Sequence, residues 1–347
     1  MEDVIVVGGG VIGLSIAVEL AGQGVAVAVV EQGDFGREAS WAGAGILPPG
    51  NLEAAHTPEA QLRALSHFLW PDWAESLEAE TGIDPGYTRC GGLELRLMAK
   101  DDELSDEIRT WRNEEVRVEE LSPDEARQLE PRLSPEVASV YRLPDLGQVR
   151  NPRLVRALVA VCAERGVRML PGTPVIGFDE RAGRIAGLRT PTDVLRAGRY
   201  CVAGGAWSRT ILDSLGVRIA VEPVRGQIVL VSHVPRLFSH VLQLGPRYVV
   251  PRADGRILIG ATEEHVGFLK SNTASAVSGL LAFAAGLVPA LAEARFERAW
   301  SGLRPGSADG LPYLGRVGSY ENLFIAAGHF RSGLQMSPGT ARLLRQS

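Results

Sequence analysis

The sequence predicts two interleaved units, one α/β and built on a parallel sheet, the other β-rich and antiparallel. Three observations predict this. A glycine-rich motif, Gly8–Gly13 ("GGGVIG"), stands between an apolar strand and a helix at the start of the chain. Runs of period-two alternation, "RGQIVLVSHV" and "RYVVPRADGRILIGAT", mark the second half. Along the whole chain the two patterns alternate as α/β, β-rich, α/β, β-rich, α/β, with no internal repeat and no low-complexity linker.

Taken in order, Val4–Val7 reads as a strand, the region near Ile12–Gln23 as a helix, and Val25–Glu31 as a second strand. The helix turns Ala17 and Leu20 inward and ends at Gly24. This is a Rossmann-like βαβ unit, and each part of its motif has a physical task. Gly8 permits the tight turn, Gly10 lets the backbone approach a pyrophosphate, and Gly13 lets helix and strand pack closely. The helix N-terminus offers free N–H groups and a positive dipole end to phosphates. Glu31, at the end of the second strand, can accept from both ribose hydroxyls and repels a 2′-phosphate, which disfavours NADP. FAD and NAD both fit such a unit, and a βαβ unit without ligand is the bland alternative.

Beyond it, "GREASWAGAGILPPG" is rich in small residues, and a helix follows around Pro58–Thr81. Charge is dense from Ala99 to Pro131, where "KDDELSDEIRTWRNEEV" reads as a solvated helix. "PDLGQVRNP" is a turn-rich crossover, Pro152–Arg165 a helix, and "GVRMLPGTPVIGFDE" a pair of strands. "YCVAGGAWS" is a strand ending in glycines, and Asp254 with Gly255 makes a hairpin turn. Ser271–Ala292 carries no charge but spaces its large apolar residues along one side, so it reads as a buried amphipathic helix and not as a bilayer span. "LFIAAGHF" is a last strand, and a final helix beginning near Gly333 aims its N-terminus inward.

With 347 residues, 45% hydrophobic and 22% charged, the chain has the make-up of a soluble globular protein of one or two domains. A net charge of -5 gives no reason to expect nucleic acid as partner. Cys90, Cys162 and Cys201 are odd in number and far apart, which argues against disulfides or zinc and fits a reducing cytosol. No basic segment precedes the first apolar run, so a cytoplasmic protein is expected. The absence of GxSxG, HExxH and paired cysteines leaves hydrolase and metal-site readings with little support.

The stretches "GREASWAGAGILPP", "GTPVIGFD", "YCVAGGAWS", "PVRGQ", "GLRPGSADGLPYLG" and "AAGHFRSGL" follow in consistent order from about Val4 to Ala341. In this the chain resembles the FAD-dependent D-amino-acid oxidase superfamily, and within it the glycine oxidases of thiamine biosynthesis. With that cofactor, the alternating pattern assigns 1–85, 145–220 and 300–347 to an FAD-binding domain, and 86–144 and 221–299 to a β-rich substrate domain. The resemblance implies FAD contacts from Gly8, Gly10, Val11, Ile12, Gly13, Glu31, Gln32, Ser40 and the backbone of Ala44, Gly45 and Leu47. Val175 would bond the adenine through its main chain, while Gly205 and Trp207 would line the flavin side. His329, Phe330, Ser332, Gly333, Leu334 and Gln335 complete the implied cofactor contacts. Arg304 and Tyr248 match the positions that hold the substrate carboxylate, with Arg304 also beside the flavin, and Arg331 matches a second active-site arginine near the cofactor. Relatives that attach their flavin covalently use a cysteine near Arg304; none lies beyond Cys201, so the FAD is expected to be non-covalent.

The reaction the resemblance implies is oxidation of glycine (to glyoxylate and ammonia), sarcosine or D-alanine, with oxygen as acceptor and hydrogen peroxide as product, by a homo-oligomer such as a tetramer, serving thiamine thiazole synthesis. A guanidinium can fork onto the carboxylate and a Tyr hydroxyl can add a third bond, aiming the α C–H at the flavin. Alone, Arg304 would read as a surface ion-pair residue and Tyr248 as a half-buried core tyrosine; within the motifs both read as ligands. His329 reads as structural or flavin-contacting, because hydride transfer from a neutral amine needs no base. The competing readings are a dehydrogenase of the same superfamily using another acceptor, and a non-catalytic FAD-binding module. Three departures stand out: Pro246 where some relatives have His, Glu263 where a relative has an apolar residue, and a chain that stops at Ser347 where relatives usually continue.

Overall fold

The computed structural model describes residues 2–97 and 106–346. One sheet has six strands in the order Tyr313–Arg316, Leu323–Ala327, Ala197–Val202, Glu2–Val7, Val27–Val30, Arg168–Leu170. All neighbours are parallel except the first pair. The strands are apolar throughout because both faces are covered. Val4, Val6, Val27 and Val29 pack toward the helices Val11–Ala21 and Asn151–Glu164. Ile5, Val7, Ala28 and Val30 face the other way, in one core with Phe178, Ile185 and Leu188 of a three-stranded meander. From Glu2–Val7 the chain passes to Val27–Val30 on one side and returns later as Ala197–Val202 on the other. That reversal opens a crevice beyond the carboxyl end of Glu2–Val7, where the glycine motif begins.

The second sheet has eight strands, in the order Arg295–Ser307, Val221–Ser232, Arg256–Gly260, Arg247–Pro251, Val241–Leu244, Gly92–Arg96, Ser139–Leu143, Glu119–Leu121. Only Val241–Leu244 beside Gly92–Arg96 is parallel. The alternation seen in the sequence sorts its residues by face. Val229 and Val231 share a core with Leu280 and Leu287 of the helix Ala274–Leu287, while Ile228 and Leu230 face Ile108 and Trp111.

Local signals set several elements closely. The helix Pro58–Thr81 starts where Thr57 accepts from the Ala60 N–H at 3.1 Å, with Pro58 in its first turn, and ends at Gly82 with φ 67°. The hairpin turn uses Gly255 at φ 80°. Elsewhere the structure corrects the expectation. The charged stretch begins outside the described residues, and its helix Asp106–Asn113 buries Ile108 and Trp111 and so is only partly solvated. The uncharged stretch is helical over Ala274–Leu287 and buries Leu280, Ala284 and Leu287, leaving its other side open. Among the described residues no helix is long and apolar enough to cross a membrane. Arg295–Ser307 runs unbroken through the position where a boundary at 300 was expected. The last helix begins at Ser337 and not near Gly333, because Pro338 sits in its first turn and the residues before it form turns.

Arg252, which is 6% exposed, staples the eight-stranded sheet to the segments holding Ala44 and Gln148–Val149. Its Nη1 donates to Gln148 Oε1 at 2.6 Å and to the Val149 carbonyl at 3.0 Å, and its Nη2 donates to the Ala44 carbonyl at 2.7 Å. All three acceptors are neutral. Burial pulls its pKa down to about 10, with the neighbouring Arg150 charge adding to the effect, so the group stays protonated at neutral pH. Replacing it leaves three acceptors without their donor. Arg252→Met should lower stability by about 3 kcal/mol, read as a fall in the urea unfolding midpoint; an unchanged midpoint would contradict the staple.

Candidate active site

A cavity of about 470 Å³ runs between the two sheets from the glycine motif to Arg304 and Tyr248. At the first end, Gly8 has φ 112°, and a side chain there would meet the Ala203 carbonyl at 2.4 Å. Gly10, Val11 and Ile12 line the cavity at the start of the helix Val11–Ala21. Ser40 Oγ accepts from the Val11 N–H at 2.8 Å, so it caps this helix from another segment as well as lining the cavity. Glu31 is aimed by two backbone donors, the N–H of Gly9 at 2.8 Å and of Gly33 at 3.0 Å. Gln32, Ala44, Gly45, Val175, Gly205 and Trp207 also line the cavity.

Gly13, Leu47 and Gln335, which the resemblance also implies as FAD contacts, are not among the residues lining the cavity. Gly13 is behind the cavity wall, where a Cβ would come within 1.9 Å of the Gly8 carbonyl, so its task is close helix–strand packing. Leu47, expected to contact through its backbone, has its side chain buried in the core, while its neighbours Ile46 and Pro48 line the cavity. Gln335 is buried with its backbone carbonyl accepting from Trp70 Nε1 and its side-chain amide donating to the Arg63 carbonyl, both at 2.8 Å; it ties the turn before the last helix to the helix Pro58–Thr81.

At the other end four adjacent strands build a single device. Arg304 and Tyr248 stand on the outer two, Arg295–Ser307 and Arg247–Pro251; the inner two carry Gly260 opposite Tyr248 and Gly226 two residues along from Val224, the partner of Arg304. Tyr248 is directly opposite Gly260, where a Cβ would lie 2.8 Å from the phenolic oxygen. A Cβ on Gly226 would lie 2.4 Å from Arg304 Nη1. The two glycines thus let both side chains lean toward each other, and the Arg304 charge acts on the Tyr248 hydroxyl. Arg304 Nη1 donates to the Thr262 carbonyl at 3.0 Å, and among the described residues no carboxylate is paired with this guanidinium. Burial raises the Tyr248 pKa, which keeps its hydroxyl protonated as a donor.

His329, Phe330, Arg331, Ser332, Gly333 and Leu334 line the cavity on a loop docked against the same strand. The Phe330 N–H donates to the Pro305 carbonyl at 3.1 Å, and Phe330 itself adopts φ 47°. His329 is buried, hydrogen-bonds Thr340 Oγ1 at 3.0 Å, and is pushed down to about 3 by burial. Its ring is therefore neutral at neutral pH and holds the loop to the last helix. Arg331, which matches a second active-site arginine, is bound by Glu263, with Nε donating at 3.1 Å and Nη2 also donating.

The sequence reading passed over Gly226, Gly260, Thr262, Gln243 and Glu107. The glycines sit in "PVRGQ" and at the end of "RILIG", where a small residue inside an apolar strand is itself the signal of a close approach. Gln243 lines the cavity opposite Tyr248, and its buried Oε1 has no partner among the described residues. Gly226→Ala should push the guanidinium aside while the fold survives, because the displaced atoms end a flexible side chain. Acetate binding by calorimetry should weaken about tenfold with little change in the unfolding midpoint; unaltered acetate affinity would contradict the device.

The residues present fit FAD. Small side chains and bare backbone from Ala42 to Gly45 and from Ala203 to Ala206 line the middle of the cavity, as a flat ring system requires. Gly8, Gly10 and the first turn of the helix would hold the pyrophosphate, and Glu31 the ribose. None of the three cysteines lines the cavity, which is consistent with a non-covalent cofactor.

Comparison with known proteins agrees with this geometry. The family model described as FAD dependent oxidoreductase matches residues 3–347. A glycine oxidase of Pseudomonas putida is 38% identical, over 99% of this chain and 93% of that protein. A bifunctional protein ThiO/ThiG of Synechocystis is 36% identical, over 99% of this chain and 51% of that protein. The crystal structure of glycine oxidase from Geobacillus kaustophilus superposes with a TM-score of 0.93 at 36% identity, covering 99% of this chain and 93% of that one. The match over nearly its full length, on a cavity shaped for FAD, places the chain in the family of FAD-dependent oxidoreductases that includes these glycine oxidases.

Proposed function

We propose that the chain is an FAD-dependent amine oxidase acting on glycine, with sarcosine and D-alanine as further small substrates. The observation that carries this reading is Arg304, held by a neutral carbonyl and paired with no carboxylate among the described residues, beside a protonated Tyr248 at the far end of a cavity that begins at the dinucleotide motif. The guanidinium takes the α-carboxylate on two N–H groups and the Tyr248 hydroxyl donates a third bond. These contacts orient the substrate so that its α C–H faces the middle of the cavity. FAD, when bound there, supplies a two-electron acceptor that takes the hydride equivalent and passes the electrons to oxygen, giving hydrogen peroxide. Glycine thereby loses a hydride and an amine proton, and water converts the resulting imine to glyoxylate and ammonia. No side chain is needed as a strong base, in keeping with the neutral, structural His329.

The likeness to glycine oxidases supports the substrate, and the likeness to a fused ThiO/ThiG protein supports a place in thiamine thiazole synthesis. The same proposal takes the six-stranded sheet as the core of the cofactor domain and the eight-stranded sheet as that of the substrate domain. It also includes a cytoplasmic location, supported by three free cysteines, and homo-oligomeric assembly, supported by exposed Leu52 and Phe68 sharing one groove.

Anaerobic titration with glycine should bleach the flavin of the holoenzyme. Arg304→Ala should keep its yellow flavin yet need about a hundredfold more glycine. A wild-type flavin that no amino acid of this group bleaches would overturn the proposal.

A further inference from the structure

The two arginines at the substrate end are held by consecutive residues of one segment, and the difference between the two partners is chemical. Thr262 offers Arg304 a neutral carbonyl; Glu263 offers Arg331 a carboxylate. The segment is fixed from its other side. Glu264 is hydrogen-bonded to Arg225, to Gln227 Nε2 at 2.7 Å and to Thr262 Oγ1 at 2.6 Å, and its backbone pairs with Arg225 in both directions. Successive side chains of an extended segment point opposite ways, so anchoring Glu264 on one side presents Glu263 to the cavity on the other.

We propose that Glu263 is a specificity-determining residue: by occupying the Arg331 guanidinium it denies that cation to a second carboxylate, and so confines the site to amino acids that carry one. This deepens the function proposed above and rests on Arg304 taking the α-carboxylate. Four charged groups meet at this end of the cavity, Arg304, Arg331, Glu263 and Glu107, the last within electrostatic reach of Arg331. Two positive and two negative charges balance before substrate arrives. Once a carboxylate sits on Arg304, the remaining three groups carry a net negative charge. A second carboxylate then meets Glu107 and Glu263 with no free cation. The Arg331–Glu263 pair is about half exposed, at 49% and 36%, so in water it would be weak. Its strength here is that Glu263 is tethered: an incoming carboxylate competes with one already held beside the guanidinium by the chain.

Glu263→Gln keeps size and hydrogen bonding while removing the charge, which turns Arg331 into an available anion site. The test uses holoenzyme and compares kcat/KM for D-aspartate, D-glutamate and iminodiacetate with that for glycine. In Glu263→Gln the ratio for at least one dicarboxylate should rise about tenfold or more, and Glu263→Leu should move it the same way. The gain should disappear in Glu263→Gln/Arg331→Gln and shrink as salt is raised. Ratios that stay within twofold of wild type in both single variants, or a gain that survives loss of Arg331, would overturn the proposal while glycine oxidation by the wild type stands. A wild type inert toward glycine would overturn the proposed function and this inference together.

Discussion

The site depends on two missing side chains. A face of an antiparallel sheet ordinarily carries a side chain on every second residue, and those of neighbouring strands fill the space between them. Here Gly226 and Gly260 open one gap on the inner two of four strands, and Arg304 and Tyr248 lean into it from either side. A methyl group at Gly226 would come within 2.4 Å of the guanidinium. The convergence of a full positive charge and a neutral hydroxyl donor is thus a property of the sheet, built on rigid elements and requiring no loop to close.

That device has use only if the cofactor edge lies at a fixed distance from it, and the two belong to different sheets. Arg252 supplies part of this connection. Its guanidinium joins the hairpin that carries Tyr248 to the carbonyl of Ala44, which lines the middle of the cavity. A buried cation with only neutral partners is costly to keep, and its forked donors hold three carbonyl-type oxygens in one geometry. The chain's interleaved order serves the same end. Because strands of the two sheets alternate in sequence, as with Val221–Ser232 following Ala197–Val202, several crossings tie one sheet to the other.

Much of this was legible in the sequence where the signal is local. The βαβ unit follows from contiguous apolar runs and glycines at fixed spacing, and the hairpin from Asp254 and Gly255. Arg304, Tyr248 and the cavity-lining loop at His329–Leu334 came from motif order and do face one cavity. What the sequence left hidden depends on pairings across the fold. Nothing local says that Glu263 reaches Arg331, 68 positions away, and so neutralises a charge that by itself looks free. Gln335 and Leu47 stand beside cavity residues in sequence, yet their side chains turn into the core, since direction there is set by packing against Trp70 and its neighbours. The last helix starts late for a similar reason, with turns carrying the loop from the cavity wall to Ser337.

The central claim is that one arginine of the pair receives the substrate carboxylate because the other is already occupied. A crystal structure of the holoenzyme with glycolate, an unreactive relative of glycine bearing the same carboxylate, tests it most directly. The account predicts the carboxylate on the Arg304 guanidinium and the Tyr248 hydroxyl, with Arg331 still bound to Glu263. A carboxylate seated on Arg331, with Glu263 displaced and Arg304 unengaged, would contradict it.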